Sequence, residues 1–92
     1  MTFELDFTKN ALQDIEFHKK SGNKILLKKL LQMLNELSEH PETGAGQPEK
    51  LKYEYIGFWS RRINQKHRLI YSIEVETKTV IVVQAKGHYT DK

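Results

Sequence analysis

A segment rich in proline and glycine divides this 92-residue sequence into two unlike parts. Residues 40–48 contain two prolines and two glycines. Proline lacks a backbone donor and disfavours a helical conformation in the residue before it, so no regular helix crosses this segment. The chain must therefore complete one set of elements before the loop and begin another set after it.

The residues before the loop have the apolar spacing of one strand and two helices. Phe3, Leu5 and Phe7 alternate with polar residues, which predicts a short half-buried strand. Thr8 can then cap a helix over residues 9–20. A second helix carries leucines at the i, i+3, i+4, i+7 spacing of a stripe that packs on a core. We expect all six to be core residues: Leu26, Leu27, Leu30, Leu31, Leu34 and Leu37.

The residues after the loop predict strands. We expect a short strand near Leu51 and then an antiparallel meander over residues 55–63, 68–75 and 79–85. Two helices followed by a sheet that they can cover define an α+β fold, with the first strand added to one edge of the sheet. The prediction is therefore two N-terminal helices packed on a twisted, mainly antiparallel sheet of four or five strands, in a single domain spanning residues 1–92.

Composition limits the available chemistry. The absence of cysteine excludes disulfides, thiolate nucleophiles and Cys-based zinc sites. His18, His40 and His67 lie in no cluster with metal-ligand spacing, so we expect neither a metal nor a cofactor. No apolar run reaches the length of about 18 residues that spans a bilayer, and no secretory signal is visible at the N-terminus. We therefore expect a soluble, cytoplasmic protein with no membrane partner.

The positive charge is concentrated in the second half of the chain. Residues 1–45 carry six Lys and Arg against seven Asp and Glu, whereas residues 46–92 carry nine against five. Aromatic side chains are interleaved with the basic ones, a mixture typical of surfaces that contact phosphates and bases. They are Tyr53, Tyr55, Phe58 and Trp59. Because the net charge is only +3, an ordinary solvated basic face explains this composition equally well.

Three arginines are candidates for binding phosphate. Alternation along the predicted strand makes Arg61 and Arg62 point to opposite faces, so one lies over the edge of the core and the other in the open. Arg68 lies opposite the apolar face of the next strand and should be accessible. A guanidinium group matches phosphate oxygens well. Taken singly, however, each arginine is more often a solvated residue that pairs with a glutamate across the sheet.

Glu49 and His88 are the candidates for acid–base chemistry. Glu49 lies in a basic neighbourhood, where it either balances charge or takes a proton from a ribose 2′-hydroxyl. His88 follows the last predicted strand, and its reference pKa near 6.5 suits a group that protonates a leaving oxygen. A lone histidine near a C-terminus is more often simply exposed.

Four motifs in the second half carry a resemblance to a known family. Residues 46–52 read GQPEKLK, residues 57–63 GFWSRRI, residues 67–71 HRLIY and residues 88–89 HY. Nearly in register, they resemble the successive motifs of the YoeB/Txe toxins in the RelE superfamily. The resemblance implies a RelE/YoeB-like fold and the toxin of a type II toxin–antitoxin system. It also implies an endoribonuclease that enters the ribosomal A site and cuts messenger RNA by attack of a 2′-hydroxyl on the adjacent phosphate, which inhibits translation.

The resemblance also assigns roles and partners. It makes Glu49 the general base, His88 the general acid and Arg68 the residue that stabilises charge on the phosphoryl oxygens. Three further residues match positions that hold or place the substrate: Lys52, Arg62 and Tyr89. The implied partners are a cognate antitoxin, the ribosome with its messenger RNA, and a second copy of the chain.

Two alternatives remain open from the sequence. One is a non-catalytic toxin of the same superfold, similar to the ParE-type toxins, which lack the Glu, Arg and His constellation. The other is a plain RNA-binding module that stacks bases on Tyr53, Tyr55 and Phe58. The family pattern also typically stops at or just after the His-Tyr pair, whereas this chain continues through residues 90–92.

Overall fold

In the computed structural model, which describes residues 2–44, 46 and 48–87, two helices pack on one face of a five-stranded sheet. The elements in chain order are β1 (Glu4–Phe7), α1 (Lys9–Lys20), α2 (Lys24–Glu39), β2 (Glu49–Lys50), β3 (Phe58–Arg62), β4 (Arg68–Glu74) and β5 (Thr79–Gln84). The strand order is β1-β5-β4-β3-β2. Only the β1–β5 pair among these strands is parallel. The α+β prediction, including the first strand at a sheet edge, is confirmed.

Side chains at both helix starts satisfy backbone donors. The hydroxyl of Thr8 accepts a hydrogen bond from the backbone N–H of Ala11 at 3.1 Å, as the sequence predicts. Asn23 caps α2 in the same way, because its side-chain oxygen accepts from the N–H of Leu26 at 3.0 Å. Each cap fixes where a helix begins, since the first turn of a helix has no internal acceptors for these groups.

Four of the six leucines predicted to be core residues of α2 enter the core: Leu26, Leu30, Leu34 and Leu37. Leu30 and Leu37 are fully buried, and Met33 joins them. The prediction that Leu31 is a core residue is wrong, because its side chain remains 48% exposed. Successive residues in a helix are rotated by about 100°, which carries Leu31 away from a stripe centred on Leu30. Leu27 lies at the edge of the stripe and is half-buried.

The largest difference from the predicted strand boundaries is at the start of β3. Residues 55–57 do not continue β3, because Tyr53–Tyr55 forms a 3-10 turn and Gly57 follows with a φ of +95°. The short strand predicted near Leu51 is β2, which ends before the 3-10 turn. A positive φ ends the extended conformation, so β3 starts only at Phe58.

The helix-facing side of the sheet supplies the rest of the core. Its fully buried side chains come from β4, β5 and the residue after β3: Leu69, Tyr71, Val80, Val82 and Ile63. Val75, the last residue of the strand predicted over residues 68–75, lies in the turn after β4 and is 69% exposed. In the part of the chain that the structure describes, no helix is both long and apolar enough to cross a membrane.

Truncating the centre of the stripe should destabilise the protein far more than truncating its neighbour. We expect Leu30→Ala to lower the free energy of unfolding by about 2–5 kcal/mol, because it leaves a cavity in the core. Leu31→Ala is the matched control and should cost less than about 1 kcal/mol. Urea unfolding followed by circular dichroism measures both values, and equal losses would contradict this packing.

Candidate functional site

Arg61 is a charged residue inside the protein that fixes the position of β3. Its side chain is fully buried and points toward the helices. It donates hydrogen bonds to Glu36 Oε1 at 2.9 Å, to the carbonyl oxygen of Thr43 at 2.5 Å, and to that of His40. The Nε atom donates to the hydroxyl of Tyr71 at 3.2 Å. Because a buried cation is costly unless its donors are satisfied, these bonds tie β3 to α2 and to the loop after it.

The loop then passes close against β3 through Gly46. The carbonyl of Gly46 accepts a hydrogen bond from the backbone N–H of Arg62 at 2.8 Å, and its φ is +84°. A Cβ atom at this position would lie 2.6 Å from Met33 Cε and 2.8 Å from the carbonyl oxygen of Arg62. Only glycine fits such an approach. Shortly after Gly46, β2 begins at the edge of the sheet.

The three candidate residues of the sheet lie on one face. Glu49 pairs across β2 and β3 with Ser60, and Arg62 pairs across β3 and β4 with Arg68. Residues directly opposite in an antiparallel pair share a face, as do residues two apart along one strand. All three therefore project from the face opposite the helices, which we call the helix-distal face. The prediction that Arg61 and Arg62 point apart is confirmed.

Arg62 and Arg68 place two positive charges directly opposite each other. Like charges at such positions are unfavourable unless an anion lies between them. Arg62 is exposed and Arg68 is half-buried, and neither makes an ion pair with a carboxylate in the described part of the chain. The sequence also allowed Arg62 to be a solvated residue that pairs with a glutamate across the sheet. The residue directly opposite Arg62 on β4 is instead an arginine. The pair is suited to bind a phosphate group.

The strand register does not place the other predicted site residues, Lys52, His88 and Tyr89, on the helix-distal face. Glu49 and Lys52 are exposed, and Lys52 lies beyond the end of β2, so the strand register assigns its side chain to neither face. His88 and Tyr89 lie outside the described residues. Gly87 is the last described residue, and its carbonyl accepts a hydrogen bond from the N–H of Arg68 at 2.9 Å. The chain therefore reaches Arg68 just before its final residues.

Sequence reasoning missed two histidines. His18 is buried, with Nε2 at 2.7 Å from the carbonyl oxygen of Ala85, and its ring meets that of His67 edge-to-face at 4.8 Å between centroids. The spacing of Ala11, Ile15 and His18 places His18 on the buried side of α1, and this helical spacing is visible in the sequence. No group of three or more His, Asp or Glu side chains within the described residues could hold a metal ion.

Known proteins resemble this chain in both sequence and fold. A family model described as the YoeB-like toxin of bacterial type II toxin–antitoxin systems matches residues 7–89. The chain belongs to this family. Toxin YoeB of Synechocystis sp. is 33% identical over 86 residues, which cover 94% of this chain and 96% of that protein. Toxin RelK of Mycobacterium tuberculosis is 32% identical over 92% of this chain and 96% of its own length.

Solved structures of family members agree with the fold. A YoeB/ParE toxin from Agrobacterium tumefaciens superimposes with a TM-score of 0.87 at 30% identity, covering 95% of this chain and all of that one. YoeB in a YoeB–YefM complex from Staphylococcus aureus gives a TM-score of 0.80 at 31% identity, covering 97% of this chain and all of that one. YoeB from Staphylococcus aureus has also been solved as a dimer. The predicted YoeB/RelE relationship is confirmed.

The burial of Tyr71 beside Arg61 should make the stability of the protein fall at alkaline pH. Burial raises the pKa of Tyr71 above its usual value near 10, and the hydrogen bond from Arg61 offsets this only in part. The folded state thus holds this proton more tightly than the unfolded chain. The contribution of this pKa difference to the free energy of unfolding is fully present below about pH 10. It is lost as the pH rises through the pKa of Tyr71 in the folded state.

Tyr71→Phe should remove this part of the pH dependence. The variant should also lose about 1–3 kcal/mol at neutral pH, because the hydroxyl donates to the carbonyl oxygen of Pro41 at 2.7 Å and accepts from Nε of the buried Arg61, and both partners would be left unsatisfied. Urea unfolding from neutral pH to about pH 11 measures both effects. Tyr53→Phe, at an 81% exposed position, is the control and should keep the wild-type alkaline loss. An unchanged alkaline loss in Tyr71→Phe would refute the assignment.

Proposed function

We propose that this protein is a ribosome-dependent endoribonuclease that cuts messenger RNA in the A site and so inhibits translation. The observation that carries this proposal is the shared face of Glu49, Arg62 and Arg68, on which two opposed guanidinium groups have no carboxylate partner among the described residues. Membership of the YoeB-like toxin family makes RNA the expected substrate. The toxin fold would act as a single domain over residues 1–92, in the cytoplasm where its ribosomal target lies.

The proposed reaction is a transesterification within the RNA strand. Glu49 takes the proton of a ribose 2′-hydroxyl as its oxygen forms a bond to the adjacent phosphorus. The bond from phosphorus to the 5′-oxygen of the next nucleotide breaks, and His88 protonates that leaving oxygen. The products are a 2′,3′-cyclic phosphate and a free 5′-hydroxyl, and no water is consumed. Phosphoryl transfer of this kind needs a base, an acid and preorganised positive charge.

The geometry of the helix-distal face supports this division of roles. Glu49 is a diagonal neighbour of Arg62, at a Cα separation of about 7–8 Å, and Arg68 is directly opposite Arg62. A carboxylate can therefore reach a ribose while the two arginines hold the neighbouring phosphate. In this proposal Arg68 stabilises the charge that develops on the phosphoryl oxygens. Lys52, Arg62 and Tyr89 hold the RNA backbone and place the substrate.

The partners follow from the family. We propose that a cognate antitoxin binds this chain as YefM binds YoeB in the Staphylococcus aureus complex, and that the chain forms a homodimer as that YoeB does. The basic second half of the chain would bind the acidic tail of the antitoxin, so that the antitoxin and the messenger RNA compete for one surface.

Substitutions of the proposed catalytic residues should abolish cleavage without unfolding the protein. In a purified translation reaction, wild-type protein should cut the A-site codon. Glu49→Gln, Arg68→Ala and His88→Ala should each lose about a hundredfold or more of the cleavage rate, since each removes an acid, a base or a charge-stabilising group. Primer extension on the messenger measures the rate, and thermal unfolding checks the fold.

Two exposed positions away from the helix-distal face provide matched controls. Glu76→Gln, in the turn after β4, and Lys28→Ala, on α2, make the same kinds of charge change and should cleave at the wild-type rate. Full activity of Glu49→Gln and His88→Ala would remove the mechanism. Arrested growth with intact messenger RNA would instead favour a non-catalytic, ParE-like toxin, and RNA binding without either effect a plain RNA-binding module.

A further inference from the structure

The segment that leads from β5 to the last described residue is held by side chains of α1. The N–H of Ala85 donates to Asp14 Oδ2 at 3.0 Å, and the carbonyl of Ala85 accepts from His18 Nε2 at 2.7 Å. Asp14 and His18 are both buried, and they lie four residues apart on the same side of the helix. Side chains of α1 thus form hydrogen bonds with both the N–H and the carbonyl of Ala85.

His67 holds the same segment from the other side. Its Nδ1 atom accepts a hydrogen bond from the N–H of Gly87 at 2.9 Å, next to the bond between the Gly87 carbonyl and the N–H of Arg68. The rings of His18 and His67 contact each other edge-to-face. We call Asp14, His18 and His67 the C-terminal clamp. It joins α1, the turn before β4 and residues 85–87.

These contacts define the protonation of one nitrogen in each ring. A carbonyl oxygen can only accept, so Nε2 of His18 carries a proton. The N–H of Gly87 can only donate, so Nδ1 of His67 carries none. Protonation of His67 would place a second N–H against that of Gly87, and the hydrogen bond would be lost. The clamp therefore holds Gly87 only while His67 is neutral.

We propose that the C-terminal clamp holds residues 85–87 against Arg68, and that protonation of His67 releases Gly87. This inference rests on the proposed function, in which His88 is the general acid and is bonded directly to Gly87. Asp14, His18 and His67 are then positioning residues that act through His88. Because a displacement of about 1 Å can cost a hundredfold in rate, a backbone hydrogen bond one residue away is enough to control the reaction.

The elements that the clamp joins carry several other charged and titratable groups. They are Asp14 and His18 from α1, Lys66 and Arg68 from the adjoining turn and strand, and Lys86 from the C-terminal segment. Asp14 accepts from Ala85, and Lys86 lies over the ring of Phe17 at 4.3 Å from its centroid. Only His67 among them accepts the hydrogen bond of Gly87, so only its protonation removes that bond directly.

Two substitutions of His67 separate its hydrogen bond from its titration. His67→Asn keeps an acceptor close to the position of Nδ1 but cannot be protonated near neutral pH, whereas His67→Leu removes the acceptor. In single-turnover cleavage of A-site messenger RNA, His67→Leu should lose roughly tenfold or more at neutral pH, and His67→Asn should stay within a fewfold of wild type. Gln65→Ala, at an exposed position of the same turn, is the matched control and should match wild type throughout.

The pH profile distinguishes positioning from a merely structural role. Wild-type activity should fall as acidification protonates His67, whereas His67→Asn, which has no imidazole to protonate, should keep its activity over the same pH range. Identical acid limbs in the wild type and His67→Asn would overturn the proposal. So would equal losses in the asparagine and leucine variants.

A second measurement needs no RNA. Amide hydrogen exchange followed by NMR in the full chain should show a protected Gly87 in the wild type and in His67→Asn. In His67→Leu the protection factor should drop roughly tenfold, and acidification of the wild type should have the same effect. His18→Gln, which keeps a donor at the position of Nε2, and His18→Leu repeat the comparison from α1 if a variant of His67 fails to fold.

The two measurements separate the failure of this proposal from the failure of the proposed function. If the protection of Gly87 changes as expected but the wild-type protein cuts no RNA, the C-terminal clamp is supported and the nuclease assignment is wrong. If the wild type cuts RNA while His67→Leu keeps both its rate and the protection of Gly87, the clamp falls and the nuclease assignment stands.

Discussion

The buried guanidinium of Arg61 is the interaction on which the rest of the structure depends. It lies one residue before the end of β3 and binds the carboxylate of Glu36, two loop carbonyls and the hydroxyl of Tyr71. A cation without these partners would be too costly to bury, so the helical part, the loop and the sheet assemble only in an arrangement that brings them together. The two unlike halves of the chain are joined at this residue.

This constraint also decides what the other face of the sheet presents. Side chains alternate along a strand, so a slip of one residue would exchange the two faces. With Arg61 held toward the helices, Arg62 must point away from them, and the register then sets it opposite Arg68. The loop held by Arg61 brings the chain to β2, where Glu49 lies on the same face. A core contact thereby determines the arrangement of the proposed active site.

Much of the fold was predictable because local patterns and the final packing agree. The Thr8 cap, the two helices and the strand meander follow from spacing that the tertiary structure uses directly. The errors occur where packing overrides the local pattern. Leu31 lies in a leucine-rich helix but off its buried stripe, and residues 53–57 have aromatic, strand-like composition but turn before β3 begins. The opposite faces of Arg61 and Arg62 were predictable from alternation alone, but which of them is buried was not.

The sequence by itself determined the family, the identity of the candidate side chains and the two-part architecture, because these depend on residue order, spacing and the break at the Pro/Gly loop. The tertiary structure decided which side chains share a surface. It set Arg62 opposite Arg68, and it brought Asp14 and His18 from the first helix against residues 85–87. The physical reason is that hydrogen bonds between residues about seventy positions apart leave no periodic trace in the sequence and arise only when the helix packs on the sheet.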